Sequence, residues 1–221
     1  MVASSFINPN IPSLKPTDSA QKALDFMEEF KLYHLPVVYK EQYLGIISET
    51  TLLNSYDTFG SVSGFQLDFQ NVSLSPLHYI FDLTQVLVHN KLSIVPIINA
   101  QESFEGVVTI EDVIKGYGKL SASRSPGAIF EILLKSNDYT LAEISRIIES
   151  NGARILSSFI RTYQDDPAHL VLSIKLDKEI VPGVYAALER HEYNIIAKFG
   201  KSDERDEDID RLQHLFKYLN T

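Results

Sequence analysis

The sequence predicts a mixed α+β / α/β chain in two parts. A duplicated β-α-β-β-α unit comes first, and a βαββαβ unit with a C-terminal helix follows. Three observations carry this. Residues 13–38 return, in register, as residues 73–98. From residue 128 to residue 200 the apolar spacing switches repeatedly between strand and helix periods. The 221 residues are 44% hydrophobic and 22% charged, an ordinary globular balance that leaves room for one or two cored domains.

The repeat matches at structural punctuation. Ser13/Ser73, Leu14/Leu74, Pro16/Pro76, Lys31/Lys91, Leu32/Leu92 and Pro36/Pro96 are identical. One extra residue then shifts the register, so that Gly45-Ile-Ile-Ser48 falls on Gly106-Val-Val-Thr109. Each copy opens on a short extended lead-in before Pro16 or Pro76. A helix follows, with Thr17 or Asp18 as the expected cap in copy one. Its apolar stripe is Ala20, Ala23, Leu24 and Met27 in copy one, and Ile80, Leu83, Val86 and Leu87 in copy two. The apolar runs Leu35–Val38 and Val95–Ile98 read as buried strands. A polar turn, a second strand ending at Ser48 or Thr109, and a second helix complete the copy. One copy is too small to bury a core, so the two are expected to pack together.

His34-Leu-Pro-Val-Val with Gly45-Ile-Ile-Ser48, and Ile94-Val-Pro-Ile-Ile with Gly106-Val-Val-Thr109-Ile-Glu-Asp112, resemble the cystathionine-β-synthase (CBS) domain family in tandem. The resemblance covers residues 8–118, with repeat one at 8–56 and repeat two at 70–118. It implies a CBS-domain pair with an adenine-nucleotide site in the cleft between the repeats. In that family a strand-end Thr or Ser reaches phosphate, and an acid three residues later holds the ribose hydroxyls.

Residues 119–127 (KLSASRSPG) read as a linker. Beyond it come a strand at Ala128–Leu134, a helix at Thr140–Ser150 and a strand at Arg154–Tyr163. Asp165-Asp166-Pro167 reads as a turn, followed by a strand at His169–Leu176, a helix at Val181–His191 and a strand at Tyr193–Phe199. This is the ferredoxin-like order. Ile144, Ile147 and Ile148 mark one inner helix face, and Val184, Ala187 and Leu188 the other. The stretch Leu141–Gly152-Ala-Arg-Ile155 resembles an ACT domain, which sets an ACT-like domain at 128–200. The family's Asp-x-x-Gly ligand loop is replaced by Ser136-Asn137-Asp138-Tyr139-Thr140, which lacks glycine. The order of CBS pair and ACT-like domain resembles regulators of the acetoin-utilisation type.

Carried onto this chain, the resemblance makes repeat two the fuller nucleotide site. Thr109 would reach phosphate and Asp112 the ribose. Ile94, Val95 and Pro96 would wall the base, with Ser73 and Leu74 at the lead-in strand. A carboxylate suits vicinal hydroxyls because it accepts from both. Repeat one keeps the hydroxyl of Ser48 but has Thr51 at the acid position, and His34 sits at the cleft edge. Losing two charge-assisted bonds costs about 2–4 kcal/mol, so repeat one is the weaker site, and Thr51→Asp is expected to complete it. The plain alternatives remain open. Thr109 is also suited to capping the next helix, and Asp112 to offsetting its dipole. Lys115, Lys119 and Arg124, with His34, are the candidate phosphate cations.

Charge and motifs narrow the function classes. Lys plus Arg is 20 against 29 Asp plus Glu, a net charge of −9, which disfavours a nucleic-acid binder. There is no cysteine, which removes thiolate nucleophiles, disulfides and Cys-type metal sites. No metal-ligand spacing, nucleotide-hydrolysing loop or nucleophile motif occurs, and Asp165-Asp166 reads as turn carboxylates. Without an apolar span or signal-like N-terminus, no membrane partner and a cytoplasmic location are expected. The segment Tyr56–Phe69 carries Phe59, Phe65, Leu67 and Phe69, suited either to a partner contact or to satellite packing. Residues 201–221 read as an acidic segment and an amphipathic helix bearing Ile209, Leu212, Leu215, Phe216 and Leu219. The expected function is a non-catalytic sensor of an adenine nucleotide, AMP or ADP ahead of ATP because basic residues are sparse, bound mainly through repeat two with no cofactor, forming a homodimer and acting on a protein partner of unassigned identity. The alternative is a degenerate CBS–ACT scaffold that dimerises without a small-molecule ligand.

Overall fold

The computed structural model describes residues 1–54, 60–137, 140–164 and 166–201. Phe59, Asp138, Tyr139, Asp165 and the expected C-terminal helix lie outside the described residues. The chain divides into two compact units, Met1–Tyr117 and the part from Gly118 onward.

In the first unit the elements of copy one are α1 (Ala20–Phe30), β1 (His34–Tyr39), β2 (Gln42–Ser48) and the short α2 (Glu49–Leu53). Those of copy two are α3 (Ile80–Asn90), β3 (Ile94–Ile98), β4 (Phe104–Thr109) and α4 (Ile110–Leu120). Each pair of strands is antiparallel. The lead-ins make parallel bridges, Leu14 to Val37 and Leu74 to Ile97. Ser19, rather than Thr17 or Asp18, caps α1 and accepts from the Lys22 N–H at 3.2 Å. Asp18 is already committed, taking the Lys15 N–H and pairing with Lys22, each at 2.8 Å. The repeated Lys31 and Lys91 both sit in the left-handed region with φ of 54°, ending α1 and α3 in the same way.

The two copies share one core. Leu14, Met27, Leu35 and Ile47 from copy one pack with Ile94 and Val107 from copy two. Tyr43 stacks on its counterpart Phe104 with centroids 6.4 Å apart. Each fully buried aliphatic side chain contributes about 1.5–3 kcal/mol, a gain neither copy collects alone.

The copies also exchange their leading segments. Residues 3–8 bond to copy two: Ala3 N–H donates to His78 O at 2.8 Å, Ser4 to Pro76 O at 3.0 Å and Asn8 to Val107 O at 2.9 Å. Residues 60–69 bond to copy one: Val62 N–H donates to Asp18 O at 2.8 Å, Ser63 to Pro16 O at 2.9 Å and Asp68 to Ile46 O at 2.9 Å. The described part of the segment Tyr56–Phe69 therefore packs on repeat one, with Phe65 and Leu67 against its core. Tyr43 anchors this exchange, its hydroxyl lying 3.0 Å from Phe69 O and 3.1 Å from Val72 O. Repeat limits of 8–56 and 70–118 miss this pairing.

Two glycines let the exchanged segments in. Gly45 and Gly106 have φ of +153° and +142°, and a Cβ there would stand 2.9 Å from Leu67 Cδ1 and 2.6 Å from Ile7 Cγ2. Only a residue without a side chain meets both demands.

In the second unit the order is β5 (Ile129–Lys135), α5 (Leu141–Ser150), β6 (Ile155–Tyr163), β7 (Asp166–Leu176), α6 (Pro182–Arg190) and β8 (Asn194–Phe199). The strands form one antiparallel sheet ordered β6-β7-β5-β8. The residues read as inner helix faces, Ile144, Ile147, Ile148, Val184, Ala187 and Leu188, are all in the core with Phe130 and Ile132. Asp166 and Pro167 belong to β7 rather than to a turn, because Asp166 already pairs with Tyr163. Residues 119–120 continue α4 instead of starting a linker.

Candidate functional site

The site residues gather where β2 and β4 hand over to α2 and α4. Ser48 and Thr109 end the strands and are buried. Both cap the helix that follows. Ser48 Oγ accepts from the Thr51 N–H at 3.1 Å, and Thr109 Oγ1 from the Asp112 N–H at 3.2 Å. An oxygen at this position meets an otherwise unpaired helix N–H.

In copy two the acid is on the helix. Asp112 Oδ2 accepts from Thr109 Oγ1 at 2.6 Å, Thr109 N–H at 3.1 Å and Asn8 Nδ2 at 3.2 Å. Asn8 arrives on the exchanged N-terminal segment. Three donors on one oxygen fix the carboxylate, and among the described residues none donates to Oδ1.

In copy one the acid is on the exchanged segment. Asp68, the counterpart of Asn8, accepts from the Thr51 hydroxyl at 2.6 Å through Oδ1 and from the Ser48 N–H at 2.8 Å through Oδ2. The Ser48 hydroxyl in turn lies 3.1 Å from Thr51 Oγ1. Asp112 aligns with Thr51 and Asn8 with Asp68, so the carboxylate and its neutral partner have traded elements between the copies. Asn8 and Asp68 were not among the expected site residues. Carrying the repeat register back beyond Ser13/Ser73 aligns Ile7 with Leu67 and Asn8 with Asp68, and would have found both.

His34 joins the copies. Its Nδ1 accepts from the Ser93 N–H at 3.2 Å and lies 3.1 Å from Ser93 Oγ, which itself accepts from the Tyr33 N–H at 3.2 Å. A backbone N–H can only donate, so Nδ1 is the acceptor and the ring proton belongs on Nε2. Burial holds the imidazole below its ordinary pKa, against the opposing pull of the Asp68 charge. The His34 and Phe69 rings meet edge to face at 6.3 Å. Ser93 was not among the expected site residues.

Of the residues expected to line a base, those of β3 are packed rather than open. Ile94 and Val95 are 0% exposed, and Pro96 is buried. Ser73 and Leu74 are half-buried, and Leu74 N–H donates to Pro96 O at 3.0 Å. Lys115, a candidate phosphate cation, is exposed and paired with Glu111 at 2.7 Å. Lys119 and Arg124 belong to the second unit.

In the second unit a depression of about 560 Å³ is lined by Lys135, Ser136, Asn137, Pro167, Ala168 and His169. His169 there pairs with Asp166 at 2.7 Å. Among the described residues no group of three or more His, Asp or Glu converges as a metal site would need. No helix among them is long and apolar enough to cross a membrane.

The first unit is thus a duplicated α/β module whose copies complete each other at two strand-end hydroxyls. The model of the CBS domain family matches residues 3–57, so a CBS domain is present in the chain. That match takes in the N-terminal segment with repeat one. Among solved structures, a CBS domain pair/ACT domain protein of Thermotoga maritima is 14% identical over 53% of this chain and 96% of its own, with a TM-score of 0.48. CBSX2 in complex with AMP is 23% identical over 52% of this chain and 95% of its own, with a TM-score of 0.46. The cytosolic domain of the Mg2+ channel MgtE in complex with ATP is 15% identical over 52% of this chain and 48% of its own, with a TM-score of 0.43.

Proposed function

We propose that the chain is a non-catalytic regulator that takes up an adenine nucleotide in its first unit, chiefly through repeat two, and works as a homodimer. The fixed Asp112 carboxylate carries this reading. With Oδ2 held by three donors, Oδ1 has lone pairs for a ribose hydroxyl and needs little reorganisation to use them. The first N–H groups of the eleven-residue α4 lie beside it and suit a phosphate, which the Thr109 hydroxyl reaches only by giving up its bond to Asp112 Oδ2. AMP or ADP fits better than ATP, because Lys115 is already paired with Glu111 and the neighbouring α4 head is acidic at Glu111 and Asp112.

Ser73, Leu74, Ile94, Val95 and Pro96 would wall the base; the last three are buried and the first two half-buried. Uptake therefore requires β3 to shift, which couples binding to shape. A ligand moves such an equilibrium only by its differential affinity for the two arrangements. The second unit, read as an ACT-like domain, would pass the change on to a partner, and no ligand is assigned to it.

A second reading, a scaffold that dimerises without ligand, is favoured by repeat one. Ser48, Thr51 and Asp68 satisfy one another there, with both Asp68 oxygens engaged. Thermal unfolding with AMP, ADP and ATP separates the readings. A nucleotide at 100 times its dissociation constant adds about 2.7 kcal/mol, and Asp112→Ala is expected to remove that shift. No shift with any of the three overturns the sensor reading and leaves the scaffold.

A further inference from the structure

We infer that the open sheet face of the second unit holds a site for a small 2-hydroxy monocarboxylate with an apolar side chain. The site is separate from the residues read as a nucleotide site and does not rest on that reading. Ser157 and Phe159 of β6, Ser173 and Lys175 of β7, and Ile129 and Glu131 of β5 are neighbours in register. On β5 and β7 they alternate with Phe130, Leu172, Ile174 and Leu176, which are in the core, so they face away from the helices. Residues 118–125 return over this face. The Ser157 hydroxyl donates to Ser121 O at 3.0 Å, and Lys175 Nζ donates to Ala122 O at 2.8 Å. Between this segment and the sheet is a cavity of about 260 Å³, whose lining includes Ser123, Ile129, Phe159, Ser173 and Lys175.

Charge selects the first group of the ligand. Lys175 is half-buried, and among the described residues it forms no salt bridge. Its carbonyl partner leaves two N–H groups unspent. Glu131 is already engaged, accepting from the Ser173 hydroxyl through Oε1 and from Arg161 Nη2 through Oε2, each at 2.9 Å. A half-buried cation gains most from an anion that also accepts hydrogen bonds, as a carboxylate does. The hydroxyls select the second group. Ser157 and Ser173 donate as described, and Ser123 donates to Gly118 O at 2.9 Å, so toward a ligand all three offer only lone pairs. A 2-hydroxyl donates to them, whereas a second carboxylate meets lone pair with lone pair. A 2-ammonium also donates, but it sets a second cation beside Lys175. Phe159 and Ile129, 45% and 36% exposed, are the apolar wall. The volume falls just below the ~300 Å³ at which ligand pockets usually begin, which limits the occupant to a few carbons.

Amide NMR titration of the full chain tests this with 2-hydroxyisovalerate and valine, which differ only in hydroxyl against ammonium, and with malate as a dicarboxylate. 2-Hydroxyisovalerate is expected to bind at about 1 mM, as suits so small a ligand, with shifts at Ser157, Phe159, Ser173 and Lys175. Valine and malate are expected to bind at least about 10-fold more weakly. Lys175→Met is expected to weaken the hydroxy acid by about 10-fold or more, the loss of a charge-assisted bond. Phe159→Ala keeps every hydrogen bond of the cavity and is expected to weaken it about fivefold, so it decides the matter even where Lys175→Met loosens residues 118–125. Equal binding of valine or malate overturns the ligand class. The site itself is overturned by binding that survives both variants, by shifts confined to residues 135–137 and 167–169, or by no saturation at about 20 mM. Asp112→Ala is expected to leave the titration unchanged, so failure of the nucleotide reading and failure of this site are read separately.

Discussion

The Thr51 hydroxyl donates to Asp68 Oδ1 at 2.6 Å, across the exchange of segments between the copies. This bond changes what a substitution at Thr51 does. From sequence, Thr51→Asp restores a missing acid. In the fold it sets a second carboxylate beside Asp68, which has both oxygens engaged already. We expect Thr51→Asp to destabilise the first unit by about 1 kcal/mol at neutral pH, the modest figure reflecting the exposure of Asp68. Urea unfolding at pH 7 measures it, and a gain of nucleotide binding in this variant would contradict the expectation.

How much was legible in advance follows from where the signal lay. The helix faces were periodic, so Ala23, Met27, Leu83, Leu87, Ile144 and Leu188 could be placed in the core before any coordinates, and they are buried there. Ser48, Thr109 and Asp112 were legible because they follow the glycines of the repeat. Asn8 and Asp68 were not, for a physical reason. They act on the copy that does not follow them in sequence, and no local period marks a segment that pairs by exchange. The Gly- and Ser-punctuated stretch before Asp68 looks like a connector by composition, yet its N–H groups complete copy one. The cap at Ser19 was missed because Asp18 and Ser19 cap about equally well in isolation, and only the fold shows Asp18 taken by Lys15 and Lys22.

His34 should make the first unit acid-sensitive. Burial lowers its folded pKa below the ordinary 6.5. The unfolded chain therefore takes up a proton at higher pH than the folded one. The stabilisation is fully present above pH 6.5 and is lost progressively as pH falls below it, by at most about 1.4 kcal/mol per pH unit for one proton. The Ser93 N–H facing Nδ1 gives the structural reason, since a protonated Nδ1 would oppose donor to donor. Comparing His34→Gln with wild type by urea unfolding between pH 7.5 and pH 5, about the range in which an imidazole titrates, isolates this term. Parallel pH profiles in the two proteins would exclude it.

Gly106→Ala should destabilise by about 2–3 kcal/mol, because it combines a forbidden φ with a Cβ pressed onto a neighbour. The neighbour is Ile7 Cγ2, 2.6 Å from the added carbon. Adding Ile7→Ala relieves the clash but not the φ of +142°. The double variant is therefore expected to recover only part of the loss relative to Ile7→Ala alone. Full recovery in thermal unfolding would mean that contact, not backbone conformation, sets the need for glycine here.

The traded carboxylate makes a stronger test of the pseudo-symmetry than any single change. Asn8→Asp places a second acid at the 3.2 Å contact with Asp112 and should cost about 1–2 kcal/mol. Asp112→Thr alone removes the acceptor for the Thr109 hydroxyl and N–H, with a similar cost. Together they rebuild in copy two the arrangement that copy one already holds, a helix threonine donating to an acid on the exchanged segment. The two costs should therefore cancel in large part, giving a coupling of about 1–2 kcal/mol in a double-mutant cycle. The nucleotide shift expected of the wild type should nonetheless be absent in the double variant, because its acid sits on the exchanged segment rather than on α4 and has a donor on each oxygen, as Asp68 does. Additive costs would show that the two copies hold their carboxylates by unrelated geometry, and a retained nucleotide shift would show that the acid serves equally well from either element.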